Sequence, residues 1–476
     1  MDVLNWLGLG LLTVLALGAA GHALLNKSDS RSALGWVAVC LTFPLAGPIL
    51  YILFGVNRVR RSASRMRREV DALAGVAPTA PNMQRGAIVN PTVLFRSFQR
   101  LEQVGRNVLE AELVGGNCVE PLENGDEAYP IMLQAIDAAL HSVYLTAYIL
   151  DTDATGRSFI DALARAAARG VDVKVLIDGV GEKYSWPLAS KLLRAGGVTT
   201  ALFIPPSIFP PNLHMNMRNH RKILVVDGTL AFTGGMNISQ KHVLGAKPLW
   251  PVTDMHFIVR GPVVSHLQDT FVDDWLFTTR ERIHPPVTTA EPTGDCLCRT
   301  VVDGPNLDED KLKTLITGIV SAAESSIRIM TPYFLPPRTF LSALKSARHR
   351  GVDVQIILPA RNNLPFVHWA TNHILDDLLR TGITVAYQPA PFCHTKLMLV
   401  DCCYSHLGSA NMDNRSLRLN FELTLEVLDR HLADRLARLF DAVMAKSRPV
   451  TRQELHSRPL PVRLRDAFFW LFSPYL

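Results

Sequence analysis

One pattern occurs twice in this chain and ties two distant segments together. A histidine is followed two residues later by a lysine, five residues after that by an aspartate and, 17 residues from the histidine, by the asparagine of a Gly-x-x-Asn tetrapeptide. The copies consist of His220, Lys222, Asp227 and Asn237, and of His394, Lys396, Asp401 and Asn411. Two accidental copies with the same sequel are improbable, so the pattern predicts one active site built from two similar halves.

The residue types suit the transfer of a phosphodiester group. A neutral imidazole can attack phosphorus and form a phosphohistidine, and a protonated imidazole can protonate the leaving alkoxide. Lysine and asparagine side chains can hold the non-bridging oxygens as charge develops. Neither copy carries both imidazoles, so we expect the two copies to face one pocket. The competing interpretation, that each histidine is an ordinary core residue, is weakened by the repetition of the whole pattern.

A longer internal repeat surrounds the two motifs. The similar segments are residues 142–148 and 326–333, residues 169–178 and 350–359, and residues 197–202 and 382–387. Each half is therefore predicted to run strand, helix, strand, helix, strand and motif strand, with helices at 156–169 and 339–350. This alternation predicts an α/β fold of two pseudo-symmetric sandwich halves, each with a mixed or largely parallel sheet. Packing about a pseudo-twofold axis would bring the two histidines together.

The spacing within each motif also separates its residues. Histidine and lysine, two residues apart at the start of an apolar strand, point to the same face. The aspartate stands at the far end of that strand. We therefore expect Asp227 and Asp401, although they belong to the catalytic signature, to be structural and to pair with basic groups or cap turns.

At these residues the chain resembles the phospholipase D superfamily. The second copy, from His394 to Glu422, looks like the full signature, and residues 216–222 of the first are similar to the form found in bacterial cardiolipin synthases. The resemblance covers nearly the whole chain and implies a ping-pong reaction through a covalent phosphatidyl-histidine. It also implies a carboxylate that orients each histidine. Glu422 matches that position in the second half, and Asp254 is the best match in the first.

The resemblance implies a phosphatidyltransferase that makes cardiolipin and glycerol from two phosphatidylglycerol molecules. His220 is the expected nucleophile and His394 the expected acid and base, although the pseudo-symmetry leaves the reverse assignment open. The expected phosphate-binding or supporting residues are Lys222, Lys396, Asn237, Asn411, Ser409, Glu422 and Asp254. No cofactor and no metal is expected, because no ligand cluster with metal spacing occurs in the sequence.

Three alternatives stay open from the sequence. Phospholipase D hydrolysis, or phosphatidyl transfer to or from another lipid or alcohol such as phosphatidylethanolamine or serine, needs the same motifs. A nuclease of the same superfamily is less favoured, because the two predicted membrane spans described below would place it at a membrane for no clear reason, and the net charge of +6 does not demand a nucleic-acid partner. A catalytically idle lipid-binding scaffold would be favoured by a degenerate half, whereas both halves keep the histidine, the lysine and the asparagine.

The composition points to a membrane. Hydrophobic residues make up 48% of the chain and charged residues 19%, which is rich in apolar residues for a soluble enzyme. Two apolar runs, residues 3–25 and 33–54, would each form a helix of roughly 33 Å, long enough to cross a bilayer core. They predict a two-helix transmembrane hairpin, in which Pro44 and Pro48 kink the second helix.

Charge bias predicts how this hairpin is oriented. Residues 57–68 hold six arginines, whereas the hairpin loop at 26–31 holds two basic residues. By the positive-inside rule we expect a multi-pass protein of the bacterial inner (cell) membrane with a cytoplasmic catalytic region. The same arginines predict contact with anionic membrane lipids.

Four segments are predicted from these features. They are the transmembrane hairpin at 1–56, a basic juxtamembrane segment and linker at 57–106, the first phospholipase D-like half at 107–290, and the second half with an aromatic C-terminal tail at 291–476. The tail is expected either to lie in the membrane interface or to dock on the core. The seven scattered cysteines are too few for a disulfide scaffold and are interpreted as reduced.

Overall fold

The computed structural model describes residues 2–27, 29–56, 96–206, 217–285, 290–305 and 310–474. The chain divides into two compact units, residues 1–63 and 64–476. Residues 57–95, which make up most of the predicted juxtamembrane segment and linker and include the arginines at 57–68, lie outside the described residues. Both predicted catalytic halves belong to the second unit, so the boundary between them at residue 290 stays a prediction.

The first unit is a helical hairpin. Its elements are α1 Asp2–Asn26, α2 Ser30–Thr42, α3 Ala46–Leu50 and a π-helical turn, Tyr51–Gly55. The imidazole Nδ1 of His22 lies 2.8 Å from the hydroxyl of Tyr51, which joins the two arms. Ala20, Ala23 and Cys40 pack around this contact. Small residues thus let α1 and the second arm approach closely.

The second apolar run is not the single spanning helix that was predicted. Helix α2 ends at Thr42 after 13 residues, and the helix resumes only at Ala46. Phe43 has φ −122° and ψ 79°, because a following proline disfavours the helical conformation in the residue before it. Among the described helices, one is long and apolar enough to cross a membrane, the Trp6–Asn26 part of α1.

The second unit alternates strands and helices. It begins with α4 Arg96–Leu109, β1 Val114–Glu123, α5 Asn124–Ala138, β2 Ser142–Ala147, α6 Ala154–Ala168, β3 Asp172–Asp178, α7 Ala189–Ala195, β4 Thr199–Phe203, β5 Ile223–Val226, β6 Leu230–Gly234, β7 Val252–Thr253, β8 Met255–Arg260 and α8 Val264–Thr279. It continues with β9 Cys296–Asp303, α9 Lys311–Ala322, β10 Ser326–Met330, β11 Phe334–Leu335, α10 Arg338–His349, β12 Asp353–Pro359, α11 Pro365–Arg380, β13 Thr384–Gln388, β14 Phe392–Cys393, β15 Leu397–Val400, β16 Tyr404–Gly408, β17 Met412–Asp413, β18 Glu422–Leu428, α12 Arg430–Lys446, β19 Arg448–Pro449, α13 Arg452–Ser457 and α14 Leu460–Trp470. The predicted order of strands and helices around each motif is confirmed.

The two halves have the same strand order and share one sheet. The order is β1-β8-β6-β5-β2-β3-β4 in the first half and β9-β18-β16-β15-β10-β12-β13 in the second, and β1 pairs with β9. The pairs among β2, β3 and β4 and among β10, β12 and β13 are parallel, and the others in these two series are antiparallel. The mixed sheet agrees with the prediction. The joining strands β1 and β9 were not predicted, and β1 contains two glycines and a proline that obscure a strand pattern.

Alternating side chains of the motif strands separate two kinds of core. Ile223 and Val225 of β5 point into a cluster shared by both halves, whereas Leu224 and Val226 point toward α5 and α6 on the outer face. Strand β15 repeats this division. A strand buried on both faces is held firmly. The residues just before it, which include the histidine and the lysine, are therefore held in fixed positions.

Residues 96–106, grouped above with the linker, instead belong to the catalytic unit. They form most of α4, in which Leu101 is fully buried against the second half. Glu102 makes a buried ion pair of 3.3 Å with Arg299 of β9, and Arg299 also pairs with Glu426 at 3.1 Å. Removing Arg299 would leave both buried carboxylates without this cation. The catalytic unit therefore begins earlier than residue 107.

Candidate active site

The motif histidines stand just before the buried strands β5 and β15. His220 and Lys222 precede β5, and His394 and Lys396 precede β15 in the same way. A spacing of two along extended chain turns both side chains of each pair to one side. The imidazole side chains are exposed to nearly the same small extent, 10% and 12%. Exposure therefore does not distinguish the two histidines.

Each histidine is bound by a carboxylate from the opposite half. Nδ1 of His220 lies 3.0 Å from Oε2 of Glu422, at the start of β18. Nδ1 of His394 lies 2.7 Å from Oδ2 of Asp254, between β7 and β8. The sequence had placed each carboxylate with the histidine of its own half, and that assignment is corrected here. Because Nδ1 of each ring contacts a carboxylate, Nε2 is the ring atom available for chemistry, and in His394 it also lies 3.2 Å from Nζ of Lys396.

Backbone pairing between the halves causes this exchange. The N–H of His220 donates to the carbonyl of Phe421 at 2.9 Å, and the N–H of Phe421 donates to the carbonyl of Arg218 at 2.8 Å. In the second half the N–H of His394 donates to the carbonyl of Thr253 at 2.7 Å, where β7 and β14 pair in parallel. Each histidine thus lies beside the residue that precedes the opposite carboxylate.

Arg221, the middle residue of the first motif, secures the contact between the halves. Its Nε donates to the carbonyl of Glu422 at 3.0 Å, and its Nη2 donates to the carbonyl of Asp303 at 3.1 Å. Its guanidinium also pairs with Asp274 of α8. This buried group joins the first motif to strands β18 and β9 of the second half. The active site therefore requires both halves to be folded together.

The two carboxylates have different surroundings. Glu422 accepts the Ser409 hydroxyl at 2.5 Å and the Asn420 amide at 3.1 Å. Asp254 lies against Gly235, where an added Cβ would come within 2.4 Å of Oδ1. Gly235 and Ser409 hold the same place in the two Gly-x-x-Asn tetrapeptides. Glu422 thus accepts a hydrogen bond from the Ser409 hydroxyl, whereas Asp254 occupies space that is open because Gly235 has no side chain.

Burial keeps both imidazoles neutral. Desolvation lowers the pKa of His220 to about 4, although the Glu422 carboxylate opposes the shift. Desolvation and the Lys396 cation lower the pKa of His394 to about 3, against the effect of Asp254. Although burial raises the pKa of both carboxyl groups, the neighbouring basic groups outweigh it and hold them below their ordinary range. Each pair is therefore an ionised carboxylate that accepts Nδ1–H from a neutral ring.

The two lysines fold back on their own motifs. Nζ of Lys222 donates to the carbonyl of His220 at 2.7 Å and lies 5.3 Å from the ring centre of Tyr148. Nζ of Lys396 donates to the carbonyl of His394 at 2.5 Å and lies 3.0 Å from its Nδ1. Burial lowers the pKa of Lys222 to about 7 and lowers that of Lys396. Lys396 also lowers the pKa of His220, so charges from both halves act within one site.

The two motif asparagines each keep an unused polar group. Asn237 and Lys222 line the same small cavity. In Asn237 and Asn411 the buried Oδ1 has no hydrogen-bond partner among the residues that the structure describes. Nδ2 of Asn411 lies 3.2 Å from the hydroxyl of Ser416, and a half-turn of the amide would exchange its oxygen and its nitrogen. Either amide can therefore present its NH2 group to a phosphate oxygen.

Asp227 and Asp401 stand at the far ends of the motif strands. The carboxylate of Asp227 accepts the three backbone N–H groups of residues 140–142 at 2.7 to 2.9 Å. That of Asp401 accepts those of residues 324–326 at 2.7 to 3.1 Å. Both aspartates occupy left-handed turns, with φ of 51° and 52°. Their grouping with the catalytic residues is therefore corrected, and the structural role expected from their position matches the geometry.

Two further histidines that the sequence did not single out lie beside the site. The ring centre of His242 lies 6.4 Å from that of the second-motif histidine, and His256 stands on β8 two residues after Asp254. Burial lowers the pKa of His242 to about 4 and that of His256 to about 3. Neither has a motif spacing, and proximity to Asp254 was the one available signal. In the described parts of the chain, no group of three or more His, Cys, Asp or Glu side chains could hold a metal ion.

Comparison with known families gives two matches. The family described as cardiolipin synthase, PLD-like domain, matches residues 132–275 and 315–444, which together are more than half of the chain. These two segments contain the two motifs. The family described as phospholipase D-nuclease N-terminal matches residues 14–55, within the helical hairpin.

Individual relatives match along nearly the full length. The chain is 31% identical over 475 residues to cardiolipin synthase A of Pseudomonas putida, which covers 98% of this chain and 97% of that one. It is 33% identical over 479 residues to cardiolipin synthase A of Pseudomonas fluorescens, with 98% of both chains covered. Among solved structures, a phosphatidylserine synthase of Haemophilus influenzae Rd KW20 matches with a TM-score of 0.63 over 79% of this chain and 100% of that chain. Its sequence identity of 16% makes this a likeness of fold alone.

Proposed function

The chain belongs to the cardiolipin synthase family of the phospholipase D superfamily, and from that premise we propose that it makes cardiolipin and glycerol from two phosphatidylglycerol molecules. It is a membrane-associated phosphatidyltransferase. The exchanged carboxylate pairing carries the proposal, because it fixes two neutral imidazoles from different halves in one site with two lysines. The reaction needs one ring to attack and another to move the proton.

The first transfer forms the covalent intermediate. Nε2 of His220 attacks the phosphorus of the donor lipid, and the bond between phosphorus and the glycerol oxygen breaks. That oxygen takes a proton from His394 and leaves as glycerol. Glu422 stabilises the positive charge that develops on the His220 ring, because it accepts the Nδ1–H. The product of this step is a phosphatidyl-histidine.

The second transfer regenerates the enzyme. Neutral His394 removes the proton from the terminal hydroxyl of a second phosphatidylglycerol, and the hydroxyl oxygen attacks phosphorus. The bond from phosphorus to Nε2 of His220 breaks, and cardiolipin leaves. His394 holds the proton that the next cycle requires. A bound phosphodiester anion beside this ring, together with Asp254, favours its protonated form and opposes the burial that lowers its pKa in the free site.

The assignment of His220 as nucleophile is supported by the surroundings of its carboxylate. Glu422 is held by Ser409 and Asn420 as well as by the ring, so the direction of Nε2 is fixed before the donor binds. The proton carrier has looser requirements, because it serves two different oxygens in turn. The reverse assignment is distinguished by the position of the covalent intermediate.

Four side chains are proposed to bind the phosphate. Lys222 and Lys396 approach the histidines from the two halves, and Asn237 and Asn411 each have an amide with a free polar position. Positive charge and N–H donors in a buried site stabilise a developing phosphorane more strongly than they would in water. Phosphatidylglycerol and other anionic lipids are the proposed partners.

We also propose that the protein is a multi-pass protein of the bacterial cell membrane with its catalytic unit in the cytoplasm. The charge bias around the hairpin supports this orientation. A second crossing needs α2, α3 and the π-helical turn together, because 13 residues of α2 span only about 20 Å. Labelling of cysteines introduced in the loop between α1 and α2 with an impermeant reagent tests this, and inaccessibility from the periplasm would contradict it.

The activity is tested by lipid analysis of the purified, detergent-solubilised protein with labelled phosphatidylglycerol as the sole lipid and a chelator present. We expect cardiolipin and glycerol in equal amounts, and neither from His220→Ala or His394→Ala. Asp401→Asn serves as the matched control, because it changes a motif residue that stands outside the site. Phosphatidic acid alone would identify a hydrolase. A requirement for phosphatidylethanolamine would identify a different transfer, and cardiolipin formation by both histidine variants would contradict the mechanism.

A further inference from the structure

The C-terminal helix α14 docks on the catalytic unit through one face. The ring of Phe469 lies 5.0 Å from that of Trp369 of α11, and the ring of Trp470 lies 4.7 Å from that of His373. Asp466 is 1% exposed and accepts the Arg465 guanidinium at 2.7 Å. Of the two placements expected from the sequence, docking on the core is thus observed. The inner face of α14 is a fixed structural contact.

The end of this helix is tied to the active-site loop. Nδ2 of Asn414, three residues after Asn411, donates to the carbonyl of Ser473 at 3.0 Å. Phe469 and Trp470 also pack in one cluster with Tyr333, whose ring lies 6.4 Å from that of the second-motif histidine. The end of the helix is therefore held against the loop that follows Asn411 and against the cluster that includes Tyr333.

The opposite face of α14 is an apolar stripe open to solvent. Its members recur every three or four residues, so they share one side of the helix. They are Leu460, Leu464 and Phe468 of the helix, with exposures of 64%, 60% and 54%, and Leu471 and Phe472 of the turn that follows it, with exposures of 64% and 45%. Arg463 is exposed on the same helix, and Arg418 is exposed on the loop that follows Asn411. Singly exposed apolar residues are common, whereas a contiguous stripe marks an interaction surface.

Other exposed aromatic residues flank the pocket. Tyr184, 64% exposed, contacts Tyr148, whose ring lies 5.0 Å from that of the first-motif histidine. Trp186, two residues on, is 83% exposed. Trp250 is 71% exposed and stands four residues before Asp254. Exposed aromatic side chains therefore occur at Tyr184, which contacts the neighbour of His220, and on the segment that leads to Asp254, as well as along α14.

We propose that the outer face of α14 lies in the headgroup layer of an anionic bilayer and holds the active site close to the surface from which lipid substrates leave the membrane. This rests on the proposed function, because a phosphatidyl donor and acceptor both have to enter from a bilayer. A leucine and phenylalanine stripe accompanied by arginine is typical of helices that lie in the membrane interface. Trp250 and Trp186 extend the contact around the pocket, since tryptophan favours the headgroup level.

The position of the helix is tested directly in the full chain. Phe468→Cys and Leu140→Cys are made on a Cys118→Ser, Cys402→Ser background, because these two native cysteines are not buried. The variants are labelled with a fluorescent maleimide and reconstituted in vesicles of phosphatidylglycerol and phosphatidylcholine. Leu140 is the matched control, because it is 76% exposed and its N–H bonds Asp227, at the far end of strand β5 from the histidine. We expect a quencher carried on the lipid chains to quench the label at position 468 several-fold more strongly than that at position 140.

Equal quenching at the two positions would overturn the proposal. So would efficient disulfide-linked dimers of the Phe468→Cys variant in the same vesicles, because a second copy of the chain would then cover the stripe. Neither measurement depends on turnover. A wild-type protein that makes no cardiolipin would therefore refute the proposed function while leaving the position of the helix measurable.

A kinetic test separates membrane contact from a structural role of the helix. The double variant Leu464→Asp, Phe468→Asp is expected to turn over long-chain phosphatidylglycerol in vesicles roughly tenfold more slowly than the wild type, because charge is costly in the interface. Its turnover of a monomeric short-chain phosphatidylglycerol should be unchanged, and Leu140→Asp should match the wild type on both. Equal loss on both substrates, or no loss on vesicles, would overturn the proposal.

Discussion

The two motifs lie on equivalent strands, yet they hold their histidines differently. His220 is bound by Glu422, which Ser409 also contacts, whereas His394 is bound by the shorter Asp254, which packs against Gly235. In both cases the acid comes from the other half. The two halves therefore share a fold, but the surroundings of their histidines are not interchangeable. His220 is bound by a glutamate that two other side chains contact, whereas His394 is bound by an aspartate that accepts the backbone N–H of Met255.

The largest loss of activity is expected when either of the two carboxylates that bind the histidines is replaced. Glu422→Gln and Asp254→Asn should each reduce cardiolipin formation by roughly a thousandfold, because the ring loses its tautomer and its stabilised positive charge. Hydrogen–deuterium exchange at imidazole C2, measured by mass spectrometry, assigns each effect to a ring. Glu422→Gln should lower the pKa of His220 further and leave the pKa of His394 unchanged. Asp254→Asn should lower the pKa of His394 further and leave the pKa of His220 unchanged. Effects confined to the histidine of the same half would contradict the exchanged pairing.

Lys222 provides a pH test of the first motif. Because burial lowers its pKa to about 7, the side chain is charged below that pH and neutral above it. We expect kcat/KM for phosphatidylglycerol to fall as the pH rises through about 7. Lys222→Arg should move this limb to higher pH, and Lys222→Ala should lose roughly a hundredfold or more in activity, as for a lost oxyanion donor. A profile that stays flat across pH 7 would argue against a phosphate-binding role.

Substitutions at Gly235 and Ser409 test whether these two residues position Asp254 and Glu422 in different ways. In Gly235→Ala the new methyl group would meet Asp254 Oδ1 at 2.4 Å, so the acid must move and His394 loses its direction. We expect a loss in activity of roughly ten- to a hundredfold. Ser409→Ala removes one hydrogen bond to an ionised group and should cost roughly tenfold. Steady-state kinetics of both variants checks these losses. An unchanged activity in Gly235→Ala would contradict this account.

The smallest effect on activity is expected at the two structural aspartates. Asp227→Ala and Asp401→Ala should lower the free energy of unfolding by about 1–3 kcal/mol, because backbone N–H groups lose their acceptor. Activity of the folded variants should stay within about threefold of the wild type, since neither carboxylate reaches a histidine. Thermal unfolding and turnover measured on the same preparation check this. A large loss of activity at unchanged stability would show that these residues take part in catalysis.

Much of the fold was accessible from the sequence. The strand and helix alternation around each motif followed from period-two and period-3.6 patterns, and the structure confirms it. Pro44 disfavours a helical Phe43, and its effect is larger than the predicted kink, because it divides the second helix at Phe43. Strand β1 has no clear alternation, and only its pairing with β8 and β9 makes it a strand.

The candidate site was accessible in its residues but not in its connections. Two copies of one spacing identify the histidines, the lysines and the asparagines, because the chemistry dictates residue types. The exchange of Glu422 and Asp254 depends on backbone pairing across the halves, at Phe421 and Thr253, and no local pattern encodes a contact between segments so far apart. His242 and His256 approach the site through tertiary packing alone.

The central claim, that His220 is the nucleophile of a site shared by both halves, is tested most directly by locating the covalent intermediate. Labelled phosphatidylglycerol is mixed with the enzyme, the reaction is quenched under alkaline conditions that preserve phosphohistidine, and the labelled peptide is identified by mass spectrometry. We predict the phosphatidyl group on His220, and the same peptide labelled more slowly in His394→Ala. A label on His394, or no covalent label while cardiolipin forms, would contradict the account.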